Sequence, residues 1–184
     1  MRLFVAAYPP EEAVEHLREL VSGRLALGQP QPPGRSLRLT RPDTWHVTLA
    51  FLGEVADTRA NAAVKALMAT PKPSLKVRIA GGGKFGRGRF TTVWAGLQGD
   101  LPALGDLAKA TQRELKRARL PYDDKPFKAH LTLARPADRL PAEALAADLD
   151  ALETYEGPQW TVDDVRLVRS YLGPEPRYET VAQR

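Results

Sequence analysis

Two stretches of this chain are nearly the same: His46-Val47-Thr48-Leu49-Ala50 and His130-Leu131-Thr132-Leu133-Ala134 differ at one position of five. They lie 84 residues apart in a chain of 184, and each follows a turn that contains proline. Both have strand composition, apolar and β-branched residues bounded by turn formers. The fold must therefore offer two equivalent strand sites, which predicts two related lobes placing these strands symmetrically about a central cleft. Side chains alternate in a strand, and residues i and i+2 share a face about 6.5 to 7 Å apart. Simple alternation predicts Val47, Leu49 and Phe51 in a hydrophobic layer, with His46, Thr48 and Ala50 on the opposite face. In the second copy Leu131 and Leu133 go inward, and His130, Thr132 and Ala134 face the cleft.

The rest of the chain alternates strand and helix signals, which sets an α+β or α/β expectation. Leu3–Tyr8 reads as a buried strand, and residues 11 to about 27 carry Val14, Leu17, Val21 and Leu25 at helical spacing. Gly28 to Gly34, rich in proline, is a stop and a stiff turn. Leu37–Leu39 is a short strand, Trp45–Leu52 the first histidine strand, Thr58–Met68 a helix and Leu75–Ala80 a strand. Gly81 to Phe90 reads as a glycine-rich basic loop before the strand Thr92–Leu97. A helix over residues 101 to about 120 with a basic wet face leads to the second histidine strand, about Lys128–Ala134. Leu140–Leu152 is a further helix, opened by Pro141. Two strands close the chain, roughly Gln159–Ser170 and Tyr178–Val181. No linker is long enough to separate independent domains.

Composition narrows the chemistry. The chain has no cysteine, so disulfides and thiolate metal sites are excluded, as expected for a cytoplasmic protein. Its three histidines, His16, His46 and His130, show no close-set metal-ligand spacing, and no bound metal or cofactor is expected. No run approaches the roughly 18 to 20 apolar residues that span a bilayer. The opening strand meets Pro9-Pro10 and Glu11-Glu12 too soon to read as a signal peptide. The net charge of +5 favours an anionic partner without naming one.

The two histidine strands supply the candidate chemistry. Imidazole, with an unperturbed pKa of about 6.5, both accepts and donates protons near neutrality. Phosphodiester hydrolysis needs one imidazole neutral to deprotonate water and another protonated to supply the leaving oxygen. The threonine hydroxyls can donate to the non-bridging oxygens, where charge must be held in the transition state. One His-x-Thr alone is ordinary strand sequence; two with matching flanks, using two of three histidines, form a pattern.

In these residues the chain resembles the two-histidine (2H) phosphoesterases, specifically the RNA 2′,3′-cyclic phosphodiesterases historically called 2′–5′ RNA ligases. The similarity runs through Arg2–Ala6, His46–Glu54, Pro126–Arg135, and Ser170–Pro174 with Tyr178. It implies a bilobal α+β fold with two antiparallel sheets around a positively charged cleft and outer helices. Residues 1–184 would form one catalytic domain of two interleaved, pseudo-symmetric lobes. It further implies metal-independent opening of an RNA 2′,3′-cyclic phosphate end to a 2′-phosphomonoester, the 3′ oxygen leaving. His46 would be the proton donor and His130 the proton acceptor, with Thr48, Thr132 and Arg135 holding phosphate oxygens. The protein would act as a monomer on RNA, away from membranes. Ligation of the cyclic end to a 5′-hydroxyl, a nucleotide-level phosphodiesterase activity, and RNA-end binding without catalysis stay open. The sequence departs from the usual pattern at Trp45 and at Lys128-Ala129, which can reshape nucleotide specificity.

Other positions carry two readings each. Phe127 either stacks on a base or serves the core or a hinge. Lys84, Arg87 and Arg89 either contact RNA phosphates or form an ordinary charged loop. The glycine triplet lacks the spacing and following Ser or Thr of a phosphate-binding P-loop. His16 is expected to face solvent from the first helix. Asp123 and Asp124 read as turn residues.

Overall fold

A computed structural model describes residues 1–30, 37–135, 140–173 and 176–184, and of Arg89 the backbone alone. The expected turn over Gln31, Pro32, Pro33 and Gly34, the Pro174 of the closing motif and the Arg89 side chain fall outside the described residues. The strands are β1 (Arg2–Ala7), β2 (Arg38–Leu39), β3 (Val47–Glu54), β4 (Leu75–Phe85), β5 (Thr92–Gly99), β6 (His130–Arg135), β7 (Glu156–Val162), β8 (Arg166–Tyr171) and β9 (Arg177–Gln183). The helices are α1 (Glu11–Arg24), α2 (Ala60–Ala69), α3 (Leu101–Arg117) and α4 (Ala142–Glu153). Among the described residues no helix is long and apolar enough to cross a membrane.

The fold is α+β, built on one curled antiparallel sheet ordered β7-β4-β5-β6-β3-β1-β8-β9, with β2 added to β6. Two four-stranded halves, β7-β4-β5-β6 and β3-β1-β8-β9, meet where Val47 pairs with Leu131. The two sheets expected from sequence are thus joined into one at their histidine strands. The helices cover one face. Helices pack across the halves: α1, on the path from β1 to β3, lies against β4 and β7, and α3, which links β5 to β6, lies against β3 as well as β4. One large apolar cluster fills the space between, including Leu3, Val5, Leu17, Ile79, Leu104 and Leu167, all fully buried. A small second cluster of Phe4, Ala6 and Val168 sits apart from it, with Tyr8, Phe51 and Tyr178 against it.

Strict alternation fails at the same place in both histidine strands. Between the pairs Val5↔Ala50 and Ala6↔Thr48 the register slips by one residue, so Leu49 is extra. Between Val93↔Ala134 and Trp94↔Thr132 it slips again, and Leu133 is extra. A β-bulge of this kind sets two residues against one and reverses the facing of everything beyond it. Leu49 and Ala50 are therefore both buried, as are Leu133 and Ala134. The expectation that Ala50 and Ala134 face the cleft and Phe51 the core is corrected: Phe51 pairs with Phe4 and packs with the smaller cluster.

Two further expectations change. The glycine-rich segment is not a loop from its start, since β4 continues through Gly82-Gly83-Lys84-Phe85 and pairs with β5. The chain end expected as one strand over Gln159–Ser170 is two: β7 pairs with β4, and β8 pairs with β1 in the other half. The break at Asp163-Asp164 is where the chain crosses between halves.

Each bulge needs a small second residue, because it points a second side chain into a filled interior. Ala50→Leu and Ala134→Leu should each cost about 1–3 kcal/mol by overpacking, read from denaturant unfolding. Unchanged stability in both would show that the bulges are not packed as described.

Candidate active site

The two strands bring their functional side chains to one small pocket of about 50 Å³. His46, Thr48, His130 and Thr132 line it, together with Arg135. The Val47–Leu131 pair sets the arrangement. In antiparallel register it places His46 across from Thr132 and Thr48 across from His130, with the histidines on the diagonal, where neighbours lie roughly 7–8 Å apart and their Cβ atoms somewhat closer. Both apolar partners of that pair are buried in the main core, at 2% and 0% exposure. The pocket floor is therefore fixed from below. Arg135 lines the pocket because the bulge at Leu133-Ala134 turns the next residue back to the histidine face.

Both imidazoles are held in the same way. Nδ1 of His46 lies 2.6 Å from the carbonyl oxygen of Thr44, and Nδ1 of His130 lies 2.7 Å from that of Lys128, each two residues upstream. A carbonyl only accepts, so Nδ1 carries the proton and donates it. In the neutral ring this leaves Nε2 with a lone pair. The loop ahead of His46 is pinned in turn. Thr40 Oγ1 donates to the carbonyls of Thr132 and Leu133, at 2.7 and 2.8 Å, and accepts the indole N–H of Trp45 at 2.9 Å. Trp45, whose position suggested a role in specificity, is 2% exposed and belongs to the core. Its departure from the family pattern anchors the approach to His46.

The surroundings of the two rings differ. Phe4 stacks on His46 with centroids 4.7 Å apart, and the rings of Tyr178 and Tyr8 lie 5.4 and 5.5 Å away. Burial drives the His46 pKa down to about 4, against the Thr44 carbonyl, which raises it; Arg135 and His130 lower it further. Burial and neighbours also keep the Tyr8 hydroxyl neutral, its pKa pushed up to about 12. His130 meets the edges of Phe85, at 5.1 Å, and Trp94, at 6.2 Å. Its pKa is lowered too, first by burial and then by Lys128 and Arg135, while the Lys128 carbonyl raises it. The Lys128 ammonium rests over the Trp94 ring, 4.2 Å from its centroid, and 5.0 Å from that of Phe85.

The glycine triplet finds its purpose here. Gly83 pairs with Trp94, and a Cβ on Gly83 would stand 2.6 Å from the indole ring. The absence of a side chain at Gly83 lets the indole lie on the strand beside His130. Phe127 lines a larger pocket of about 470 Å³ next to His130 and also packs on the core. Lys84 and Arg87 are exposed and line neither this pocket nor that of the histidines. His16, far from the site, is exposed and paired through Nδ1 with the Tyr155 hydroxyl at 2.9 Å. Asp123 bonds the backbone N–H and the ammonium of Lys125 in its turn. Among the described residues no three His, Asp or Glu side chains cluster as metal ligands would. Sequence reasoning missed Thr40, Thr44, Phe4, Trp94 and Phe85. Phe4 lies in the opening stretch that carries the resemblance and the others in no motif, and each reaches the site only through strand pairing or a loop.

Comparison with known proteins bears on this constellation. Residues 9–174 match the 2′-5′ RNA ligase superfamily. A Thermus thermophilus protein named RNA 2′,3′-cyclic phosphodiesterase is 32% identical, over all of this chain and 89% of its own length. One of the same name from Archaeoglobus fulgidus is 28% identical, over 95% of this chain and 94% of its own. Among solved structures, one from Thermus thermophilus superposes with a TM-score of 0.74 at 28% identity, over all of this chain and 96% of that one. Escherichia coli LigT complexed with 3′-AMP gives 0.76 at 24% identity over the same shares, a likeness of fold. The matched stretch contains both His-x-Thr strands and the bulges behind them, and the chain belongs to the 2′-5′ RNA ligase superfamily.

Proposed function

We propose that this protein hydrolyses RNA 2′,3′-cyclic phosphate ends to 2′-phosphomonoesters, without a metal, by proton transfer between two histidines. The observation that carries the reading is the pair of imidazoles, each held through Nδ1 by a backbone carbonyl, lining one pocket with two threonines and an arginine. The names of the relatives support the substrate. Every group in the pocket comes from one chain, so a monomer suffices, and residues 1–184 act as one catalytic unit of two interleaved, pseudo-symmetric lobes.

In the reaction water attacks phosphorus in line with the 3′ oxygen. His130 Nε2 takes the water proton as the new P–O bond forms. The P–O3′ bond breaks, and His46 gives the proton on Nε2 to the departing O3′. The phosphate stays on O2′. Thr48, Thr132 and Arg135 hold the non-bridging oxygens as charge builds on them. Afterwards His130 returns its proton to solvent and His46 regains one.

The unequal burial of the rings fits this division. The histidine whose charge is harder to maintain is the stronger acid once charged, and an anionic phosphate beside it supplies the stabilisation. His130, without so deep a shift, is the better base. The productive free enzyme then carries its one proton on the less basic ring, a minority form of a coupled pair.

The sign of the pH dependence follows. Both histidines are held below their ordinary 6.5 in the free protein, His46 at about 4. The pair holds a single proton only over a window that closes below pH 6.5, and loses it as pH rises. The kcat/KM profile should therefore be a bell centred below pH 6.5, falling about tenfold per unit on its alkaline side. A profile still rising through pH 7.5 would contradict it.

His46→Ala and His130→Ala should each lose about 10²- to 10⁴-fold in rate. With a thiolate leaving group in place of O3′, which departs unprotonated, the His46 variant should recover most of its activity and the His130 variant none. Equal recovery would overturn the division of roles. Thr48→Ala and Thr132→Ala should be milder, since the proton path stays intact. Turnover in EDTA should match turnover without it, and a loss restored by a divalent ion would end the metal-free reading.

A further inference from the structure

The catalytic pocket lies between two others of opposite character. On one side it shares Thr48 and His130 with the 470 Å³ pocket, whose walls include Phe51, Phe85 and Phe127. The charge there is largely compensated: Lys125 is bound to Asp123 at 2.9 Å, and the Lys128 ammonium lies on aromatic faces. On the other side it shares Thr40, Thr44, Arg135 and Tyr178 with a pocket of about 210 Å³, to which Arg38 and Arg41 are added. Arg41 is also paired with Asp43. Three guanidinium groups and three hydroxyls around one cavity suit a phosphate, which arginine grips through parallel N–H donors. Three phenylalanine rings suit a nucleobase, which stacks on aromatic faces.

We infer that the RNA end binds in one direction across the site, with the terminal base in the phenylalanine pocket and the preceding phosphodiester in the arginine pocket. This rests on the cyclic-phosphate reading and names what flanks the reacting phosphate. In a terminal nucleotide the base leaves the ribose beside C2′, and the chain toward the preceding phosphate leaves beside C3′. The arginine pocket contains Thr44 and Tyr178, the neighbours of the His46 ring, and the phenylalanine pocket contains His130. A strand laid this way turns O3′ toward His46. Strand direction, rather than any difference between the imidazoles alone, then decides which oxygen leaves. Arg135 lines both the catalytic and the arginine pocket and lies between the two phosphates.

The test compares kcat/KM for a dinucleotide ending in a 2′,3′-cyclic phosphate with that for the nucleoside 2′,3′-cyclic phosphate alone. The wild type should prefer the dinucleotide by at least about tenfold, as a charge-assisted contact to one more phosphate would give. In the double variant Arg38→Ala/Arg41→Ala that preference should collapse toward one, and in Lys125→Ala it should persist. A wild type without preference, or a preference that survives in the arginine variant, overturns the inference. A preference lost in Lys125→Ala means the strand runs the opposite way, and overturns it too. If the wild type turns over neither compound, the hydrolytic reading fails. Calorimetric binding of the dinucleotide and mononucleotide 2′-phosphates then judges the subsite by the same preference and the same loss.

Discussion

Everything at the pocket depends on a paired interruption of strand alternation. In a regular strand Ala50 and Ala134 would occupy the histidine face, and Phe51 and Arg135 would point into the core. The bulges at Leu49-Ala50 and Leu133-Ala134 reverse that. Burying an unpaired arginine would be prohibitive, whereas burying two consecutive apolar residues, the second of them alanine, stabilises the interior and frees the next position for function. Each strand is thus a hydrophobic anchor that delivers an imidazole, a hydroxyl and one further side chain to the same face. The Val47–Leu131 pair joins the two anchors, so the halves of the sheet cannot separate without opening the site.

On that frame the protein makes two chemically identical side chains unequal. Their tautomers are fixed alike by carbonyls two residues upstream, so the difference lies in what surrounds the rings. His46 sits among Phe4, Tyr8 and Tyr178, in surroundings that resist charge. His130 stands more openly, beside Trp94, Phe85 and the Lys128 ammonium. The asymmetry comes from residues outside the repeated motif. By the equivalent registers Ala6 in β1 answers to Trp94 in β5, and Tyr8 lies where Gly96 does. A nearly symmetric scaffold thereby gives the two imidazoles different surroundings, as the proposed division of proton roles requires.

Much of this is legible in the paired motif alone. Two copies of His-x-Thr in strand context are enough to name the histidines and threonines that line the pocket. The sequence points to each of the four helices among the described residues, two of them by helical spacing, with ends off by a few residues, as fraying and capping dictate. The bulges are not legible, because alternation is the default reading of a strand. The available signal is an alanine at the same place in both copies, followed by residues as unlike as Phe51 and Arg135. Trp45 is misjudged from sequence because its partner, the Thr40 hydroxyl, lies in a loop of no regular pattern. Glycines suggest a loop at 81–83, where the strand instead continues and Gly83 makes room for an indole from the neighbouring strand. Nor does spacing along the chain reveal that β7 and β8 belong to different halves of the sheet.

The central claim is that one phosphate is held by both imidazoles at once, and nuclear magnetic resonance of the histidine rings tests it most directly. In the free protein both rings should be neutral at pH 7 with the proton on Nδ1, and His46 should protonate only near pH 4. Saturation with a nucleoside 2′-phosphate should raise the pKa of His46 and of His130 together, because an anion between them favours both charged forms. A ligand that binds yet shifts only one ring, or neither, would contradict the account.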